Sequence, residues 1–419
     1  MTAKADAGKA DTFELPDTLQ IGPAVDPHPY VADARRRNSV QRKWPLPMAP
    51  SMSPGGSGDD GTAKTYNVLG YAEVSAAFRD DVTYSSSLIA KGVGPLLADT
   101  IVAMDEPEHH THRSIVFQAF RPKLLARWEN ELVRPVADEL IDSFVGAGKV
   151  DLVRSFTFAL PMRVIARILG LPRNDVAQFQ KLSIEVISIG TDWDRGMAAF
   201  HALKEYFAEL VEQRRQEPRD DLITELVQAE VEGHRLSDEQ IFAFLRLLLP
   251  AGVETTYRSL GNLLFALLTH PDQLADVMRD HALIPQGVEE GLRWESPIFN
   301  TGRVSTRDSR LGGVDIPAGS VVTLFVGAAN RDEKVFADPD RFDVHRKPNP
   351  HLSFAVGTHA CLGMHLARME SRISLEQILL RLPELRLDSS APPPQIVGMP
   401  LRSPDALNVL FTPTTNGSP

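Results

Sequence analysis

Hydrophobic positions recur with a helical period over most of the chain after residue 70. Apolar residues fall every three or four positions, which is the spacing of an amphipathic α-helix. Gly and Pro separate these segments, as in residues 170–175. The pattern predicts helices over residues 71–78, 108–120, 122–145, 155–169, 173–188, 194–216, 219–231, 237–269 and 362–382.

The segment 237–269 differs from the others because it is apolar on nearly every face. It opens with Ser237 and Gln240, the residue types of a capping box. At 1.5 Å per residue such a helix is about 50 Å long, and a helix apolar all round is buried in a large protein. Its middle nevertheless holds residues that weaken a helix or are costly to bury, which is typical of a functional site. These are Pro250, Gly252, Glu254, Thr255 and Thr256.

Short β-like runs occur in a few places only. Residues 39–42 and 65–69 flank a loop rich in Pro, Gly and Ser at 45–62, and they could pair as a hairpin. A partner-binding role for that loop is the alternative. Further short runs lie between glycine turns in 304–326. We therefore predict a mainly α fold with small β-sheets (α+β), as one large domain over 39–419 after an N-terminal tail and approach segment at 1–38.

Composition and charge exclude several classes of protein. The 419 residues carry a formal net charge of −11, which makes the chain a poor general binder of nucleic acid. The N-terminus is polar, with no apolar run typical of a signal peptide or membrane anchor. A single cysteine, Cys361, excludes an intrachain disulfide and the multi-cysteine metal sites. We expect a cytoplasmic monomer.

The segment around Cys361 carries the strongest chemical signal. Its sequence is FAVGTHACLG, and it lies directly before the predicted helix 362–382. A helix N-terminus presents free N–H groups, which favour a thiolate over a thiol. Gly357 and Gly363 allow close approach of the backbone and of a flat group, and Phe354 could keep water from the sulfur. An inert buried cysteine is the alternative.

Residues 354–363 resemble the cytochrome P450 family, whose pattern F-x-x-G-x-H-x-C-x-G they match at every specified position. Ala355 departs from the glycine that many members carry there. The resemblance covers about residues 20–415 and implies the P450 fold with haem b as cofactor. It implies that Cys361 is the axial ligand of the haem iron, with Phe354, His359 and Gly363 also contacting the cofactor.

A second motif, AGVETT at residues 251–256, is similar to the oxygen-binding segment of that family. On this resemblance Ala251 and Gly252 contact the cofactor, and Thr255 hydrogen-bonds bound oxygen. Glu254 would relay protons, so Glu254 and Thr255 are the expected catalytic pair. Taken alone, a Gly-x-Glu-Thr run in a helix is more often structural.

Two further sets match family positions. Glu290 and Arg293 resemble the E-x-x-R motif, and Arg341 is the predicted second arginine, with a structural role in fixing the cysteine loop. The resemblance assigns the cofactor propionates to four basic residues, because a carboxylate beside an apolar ring needs charged donors. They are His109, Arg113, Arg303 and His359. We expect His110 and His112 to face solvent.

The resemblance implies a monooxygenase that hydroxylates or epoxidises a hydrophobic small molecule. Electrons would come from an external ferredoxin and ferredoxin reductase. Candidate basic contacts for the donor are Arg121, Lys123, Arg127 and Arg368, with ordinary solvated surface charge as the alternative for each. The alternatives are a non-enzymatic haem-thiolate sensor or carrier and a peroxide-driven oxidase. The predicted pocket is apolar, with ordinary core packing as its alternative. Its residues are Leu88, Ile89, Val93, Leu96, Leu97, Leu248, Ile298 and Phe299.

Overall fold

The computed structural model describes residues 24–47, 64–89, 97–190 and 192–414, and helices dominate it. The predicted pocket residues Val93 and Leu96 lie outside the described residues, as does most of the 45–62 loop. The helices are α1 (His28–Arg37), α2 (Tyr71–Arg79), α3 (Glu108–Phe117), α4 (Pro122–Trp128), α5 (Arg134–Asp142), α6 (Ala159–Ile168), α7 (Val176–Ile187), α8 (Trp193–Gln216), α9 (Leu222–Gln228), α10 (Asp238–Leu248), α11 (Thr255–Thr269), α12 (Pro271–Arg279), α13 (Ile284–Trp294), α14 (Val326–Ala329) and α15 (Met364–Arg381).

The predicted long buried helix is confirmed. Helix α10, a π-helical segment Leu249–Glu254 and helix α11 run without a break. Both halves of the capping box form at the start: the Ser237 side chain accepts from the Gln240 N–H, and the Gln240 side chain accepts from the Ser237 N–H. Pro250 lies inside the π segment, where its missing N–H removes a ladder bond. None of the described helices has both the length and the apolar character that crossing a membrane requires.

The β-structure consists of small sheets at the edges of the helical core. The largest sheet has the order β1-β2-β8-β5-β3, and its β1–β2 pair confirms the predicted hairpin, with Val40 opposite Val68. Strand β12 lies between β4 and β9, while β6–β7 and β10–β11 are two-stranded. The strands are β1 (Val40–Gln41), β2 (Thr65–Val68), β3 (Tyr84–Ser85), β4 (Lys149–Asp151), β5 (Thr301–Ser305), β6 (Ser309–Leu311), β7 (Val314–Ile316), β8 (Val321–Leu324), β9 (Arg386–Leu387), β10 (Ile396–Val397), β11 (Ser403–Pro404) and β12 (Asn408–Leu410).

Helix α1 lies in the part of the chain that the sequence pattern assigned to a tail and approach segment, for which no helix was predicted. Val31 and Ala34 are each 1% exposed and pack into a hydrophobic cluster, so the helix is stabilised by burial. The buried carboxylate of Glu295 ties its start to the core. Glu295 contacts His28 Nε2 at 3.0 Å and accepts from Arg402 Nε at 2.7 Å. The N-terminal helix thus shares one carboxylate with a residue near the other end of the chain.

Candidate functional site

The cysteine loop is closed by its own backbone. The N–H of Cys361 donates to the carbonyl of Phe354 at 2.9 Å, and the N–H of Ala360 donates to the carbonyl of Gly357 at 3.0 Å. Ala355 and Gly357 both have left-handed backbones, with φ of 52° and 81°. Alanine pays a steric cost there that glycine does not, so the departure noted at Ala355 is a point of strain.

Gly357 is required by its surroundings as well as by its φ. A Cβ placed on it would lie 2.7 Å from the carbonyl oxygen of Phe78. By contrast, a Cβ on Gly363 would meet no atom within 4 Å. The loop is therefore tightly packed against α2 on one side and open to free space beside Gly363.

The Cys361 side chain is exposed. Desolvation raises the pKa of its thiol, while the N–H of Gly363 and the charges of Arg113 and Arg368 act to lower it. The open face, the backbone donor and the nearby cations suit a thiolate that binds a metal centre.

The Phe354 ring packs against the guanidinium of Arg368. The guanidinium carbon of Arg368 lies 4.5 Å from the centre of the Phe354 ring. Arg368 also donates twice to Glu289, at 2.7 and 2.8 Å, and His351 lies 3.1 Å from the same carboxylate. Burial acts to raise the pKa of Glu289, but these hydrogen bonds prevail and hold it at about 2. Arg368 therefore supports the cysteine loop.

The four predicted propionate partners lie together. The rings of His109 and His359 are 4.0 Å apart, and the Nε2 atom of each is buried without a partner among the described residues. Arg113 Nη2 donates to the carbonyl of Ala360 at 2.5 Å, which places it at the cysteine loop. Arg303 is 5% exposed and lies on β5.

The positive charges and unpartnered donors of this cluster favour binding of an anion. Burial, His109, Arg303 and Arg113 together lower the pKa of His359 to about 3, and burial lowers that of Arg303 to about 10. Within the described residues the cluster has one carboxylate in hydrogen-bond contact, that of Glu106 with Nδ1 of His109 at 3.0 Å. Several inward-facing donors thus remain available to a carboxylate-bearing group.

The central helix opens where the AGVETT motif begins. Ala251 is exposed within a helix that is otherwise largely buried, and Thr255 Oγ1 donates to its carbonyl at 2.7 Å. A Cβ on Gly252 would first meet Ile165, at an ordinary 3.4 Å. Glu254 forms an ion pair with Arg258 at 3.0 Å, and burial raises its pKa in spite of that pair. The i, i+4 spacing of Glu254 and Arg258 would have revealed this partner in the sequence.

The E-x-x-R motif forms as predicted, but its second arginine is a different residue. Arg293 donates to both oxygens of Glu290 at 2.8 Å. The other arginine is Arg346, whose Nε lies 3.2 Å from Glu290, and not Arg341, which offers only its backbone carbonyl to Arg293. The chain turns between these residues, so a count along the sequence could not decide which guanidinium points inward.

Two more sequence predictions need correction. Phe299 is fully buried against His28 and Phe325, with ring centres 5.4 and 6.2 Å away, so it belongs to the core beneath α1 and not to a pocket. His112 is 9% exposed and contacts Gln240, whereas His110 faces solvent as predicted.

The other pocket candidates within the described residues are apolar and at least half-buried. Those that are buried are Leu88 and Leu248, and those that are half-buried are Ile89, Leu97 and Ile298. Among the predicted basic surface contacts, Arg121 pairs with Glu225 and Arg127 with Asp220, while Lys123 is exposed.

Comparison with known proteins gives a consistent result. The family model described as Cytochrome P450 matches residues 163–399. Cytochrome P450 107B1 of Saccharopolyspora erythraea is 39% identical over 90% of this chain and 94% of its own length. Steroid C26-monooxygenase of Mycolicibacterium smegmatis is 38% identical over 75% of this chain and 80% of its own. The crystal structure of CYP109E1 from Bacillus megaterium with testosterone superposes with a TM-score of 0.82 at 30% identity, covering 93% of this chain and 100% of that one.

Proposed function

The chain belongs to the cytochrome P450 family, a family of haem-thiolate monooxygenases, and from this we propose a specific reaction and site. In our proposal Cys361 ligates the iron of haem b. The enzyme inserts one oxygen atom of O2 into a hydrophobic small molecule, by hydroxylation or epoxidation. Electrons come from an external ferredoxin and its reductase.

The observation that carries the proposal is the donor cluster beside the cysteine loop. His109 and His359 leave buried Nε2 atoms without partners among the described residues, and Arg303 is a buried cation. Haem b carries two propionates, and buried polar groups of this kind normally have hydrogen-bond partners. The open space beside Gly363 suits a flat ring. The residues present therefore fit the cofactor, with Arg113 as the fourth donor.

When bound, haem supplies the oxidative chemistry, in which O2, two electrons and two protons give an oxygenated product and water. The chain supplies position and electrostatics. The Cys361 sulfur receives a hydrogen bond from the N–H of Gly363, and Arg113 and Arg368 place positive charge near it. Phe354 packs against the guanidinium of Arg368 at the start of the loop.

In our proposal, protons travel along the central helix. The Thr255 hydroxyl donates a hydrogen bond to the carbonyl of Ala251. Ala251 lies in the π-helical segment, where the backbone is wider than in an α-helix. Glu254 is the adjacent acid, and burial raises its pKa in spite of the ion pair with Arg258. In the proposed mechanism Glu254 passes protons from the Arg258 side to Thr255. A haem-thiolate sensor or carrier needs no such acid and alcohol.

Similarity supports a hydrophobic substrate. One relative is named as a steroid monooxygenase, and CYP109E1 was crystallised with testosterone. The described candidate wall residues of this chain are aliphatic: Leu88, Ile89, Leu97, Leu248 and Ile298. Such walls bind by burial of apolar area, with few polar groups to orient the ligand.

The ligand assignment is tested by the absorption spectrum of the reduced holoenzyme with carbon monoxide. We expect the red-shifted band of a thiolate-ligated haem in the wild type and its loss in Cys361→Ser. The control is His365→Gln, because His365 is an exposed alternative ligand four residues further on. A band that survives Cys361→Ser would overturn the assignment.

The reaction class is tested by supplying electrons in two ways. With ferredoxin, reductase and NADPH the enzyme should convert apolar compounds such as testosterone to products that contain one atom from labelled O2. Turnover with hydrogen peroxide, together with no turnover when the electron donors are supplied, would instead identify a peroxide-driven oxidase. Binding without any oxidised product under both conditions would identify a sensor or carrier.

A further inference from the structure

Buried arginines in the described part of the chain are, with few exceptions, paired with carboxylates. A guanidinium stays charged when buried, so an unpaired one is costly. The pairs are Arg35 with Asp332 and Glu333, Arg214 with Asp221, Arg258 with Glu254, Arg293 with Glu290, and Arg331 and Arg402 with Glu295. Arg246 and Arg303 are buried too, at 8% and 5% exposed, and neither has a carboxylate within 4 Å among those residues.

Arg303 has an explanation, because the proposed cofactor brings carboxylates to it. Arg246 lies on α10, and the cofactor cluster does not include it. Its Nη2 donates to the backbone carbonyl of Ala98, and its Nε is buried without a partner among the described residues. Burial lowers its pKa, which is the direction for a cation that has lost water without gaining a paired anion.

The surroundings of Arg246 are built to hold a cation. Its guanidinium carbon lies 5.3 Å from the ring centre of Phe200 and 5.5 Å from that of Phe242. The aromatic faces and the Ala98 carbonyl fix the guanidinium plane. One edge of the Arg246 guanidinium, which includes Nε, can still donate to a further hydrogen-bond acceptor.

The described side chains nearest to Arg246 do not supply that acceptor. Asp99 and Glu239 add favourable charge at a distance, but neither forms an ion pair with Arg246. Residues 90–96, which precede this segment, have the sequence AKGVGPL and contain no acidic side chain. Neither the described residues nor residues 90–96 therefore supply a carboxylate that pairs with Arg246.

The position of Arg246 joins the proposed substrate walls. Ala98 belongs to the segment that includes Leu97, Phe200 belongs to α8, and Arg246 itself lies five residues before Ala251. Five residues correspond to about 7.5 Å along a helix axis. Arg246 and the opening at Ala251 are thus separated along the helix axis by about the length of a small molecule.

We propose that Arg246 binds the carboxylate of the substrate, and that the substrate is accordingly a hydrophobic acid. The inference rests on the proposed function, since it places the acid in the pocket of that reaction. A carboxylate matches the guanidinium fork with two parallel hydrogen bonds, and it neutralises the buried charge. The apolar remainder of the acid then extends along the aliphatic walls toward Ala251. Arg246 selects and orients the substrate and takes no part in the chemical step.

The test compares acids with their methyl esters in the holoenzyme by titration calorimetry. The pairs are dodecanoic acid, 4-cyclohexylbenzoic acid and lithocholic acid, each with its ester. We expect at least one acid to bind about tenfold more tightly than its ester, since a charge-assisted bidentate contact replaces an uncompensated burial. Arg246→Gln should bring that ratio to about one by weakening the acid and not the ester. No preference for any acid in the wild type, or an unchanged ratio in the variant, would overturn the proposal.

Two controls separate recognition from folding. Arg246→Lys keeps the charge but loses the fork, so it should keep only part of the preference and serves if Arg246→Gln does not fold. Arg214→Gln removes a buried arginine that Asp221 already pairs; it should lower the melting temperature and leave the acid-to-ester ratio unchanged. The carbon monoxide band and ester binding report on the proposed function separately. If the wild type shows neither the carbon monoxide band nor ester binding, the proposed function is overturned. If it shows both but does not prefer any acid to its ester, only the role of Arg246 is overturned.

Discussion

Arg258 and Glu254 form a buried ion pair one helical turn apart, with Nη2 and Oε1 separated by 3.0 Å. Arg258 also donates to Ser403 at 3.1 Å, so the pair joins the central helix to strand β11. The acid of the AGVETT motif is thereby anchored to the scaffold. Its pKa reflects a balance between burial, which raises it, and Arg258, which lowers it.

Replacement of Arg258 by Gln should reveal this balance as a pH-dependent loss of stability. Without Arg258 the pKa of Glu254 rises further, so the native state keeps a proton that the unfolded state loses above about pH 4.5. Stability then falls as pH rises. We expect a cost of about 3–5 kcal/mol at pH 8 and a smaller one at pH 5, measured by urea unfolding. Exposed Arg279→Gln is the control, and an equal loss at both pH values would contradict the prediction.

Thr255→Val should uncouple electron use from product formation. The variant lacks the hydroxyl that contacts the Ala251 carbonyl and, in our proposal, passes protons onward. We expect product per NADPH to fall about 10- to 100-fold and peroxide to accumulate, with ligand binding retained. Thr256→Val is the matched control, because this neighbouring hydroxyl is 4% exposed and lies outside the proposed route. Equal uncoupling in both variants would remove Thr255 from the route.

Arg346 and Arg341 should differ sharply in their effect on stability. Arg346 pairs with Glu290 and donates to the carbonyls of Ala337, Asp338 and Arg341. Arg346→Gln should therefore cost about 2–4 kcal/mol, because Glu290 is fully buried. Arg341→Gln should stay within about 0.5 kcal/mol. Thermal unfolding measures both, and the reverse order would restore Arg341 as the second arginine.

Ala355→Gly should stabilise the cysteine loop. Glycine removes the steric cost of a φ of 52°, although it also loosens the unfolded chain. We expect a net gain of about 0.5–1 kcal/mol by denaturant unfolding. Ala360→Gly, in the same loop at a residue without positive φ, should lower stability instead. A loss in both variants would show that Ala355 is not strained.

Glu370→Gln should stabilise the protein increasingly as pH rises from 5 to 8. Glu370 is 2% exposed on α15, its Oε2 has no hydrogen-bond partner among the described residues, and burial raises its pKa to about 8. Between pH 4.5 and 8 the unfolded chain releases this proton while the native state keeps it, so wild-type stability falls with pH. We expect a gain of about 2–4 kcal/mol at pH 8.

The control for this prediction lies on the same helix. Glu376 is paired with Arg372 and Arg134, so Glu376→Gln should give no gain that grows with pH. A flat difference between Glu370→Gln and the wild type over this pH range would show that Glu370 is ionised in the native state.

Features that depend on local order along the chain were predictable from the sequence. The long central helix follows from its apolar faces and from the Ser237–Gln240 box, and the β1–β2 hairpin from two short runs on either side of a loop. The cysteine loop is likewise local, because the Cys361 and Ala360 N–H groups bond within it. The pairing of Glu254 with Arg258 was within reach of the same reasoning.

Choices among distant partners were not predictable. Arg346 and Arg341 are both close to Glu290 in the fold, but only the side chain of Arg346 points toward its carboxylate. Phe299 and Ile298 are neighbours in sequence, but Phe299 is fully buried whereas Ile298 is half-buried. Helix α1 is short and proline-preceded, and its stability comes from residues about three hundred positions away, such as Ala328. The lack of a carboxylate partner for Arg246 among the described residues also depends on tertiary structure, because it is decided by where the fold places each carboxylate.

The shared carboxylate of Glu295 has a consequence for biosynthesis. Glu295 is synthesised 267 residues after His28, and Arg402 a further 107 residues after Glu295. At a synthesis rate of about 5–20 residues per second, helix α1 waits on the order of 20–75 s for its docking site. During that interval its apolar face is exposed on the nascent chain, which makes it a natural target for chaperones. Helix α1 is therefore made well before the residues that secure it.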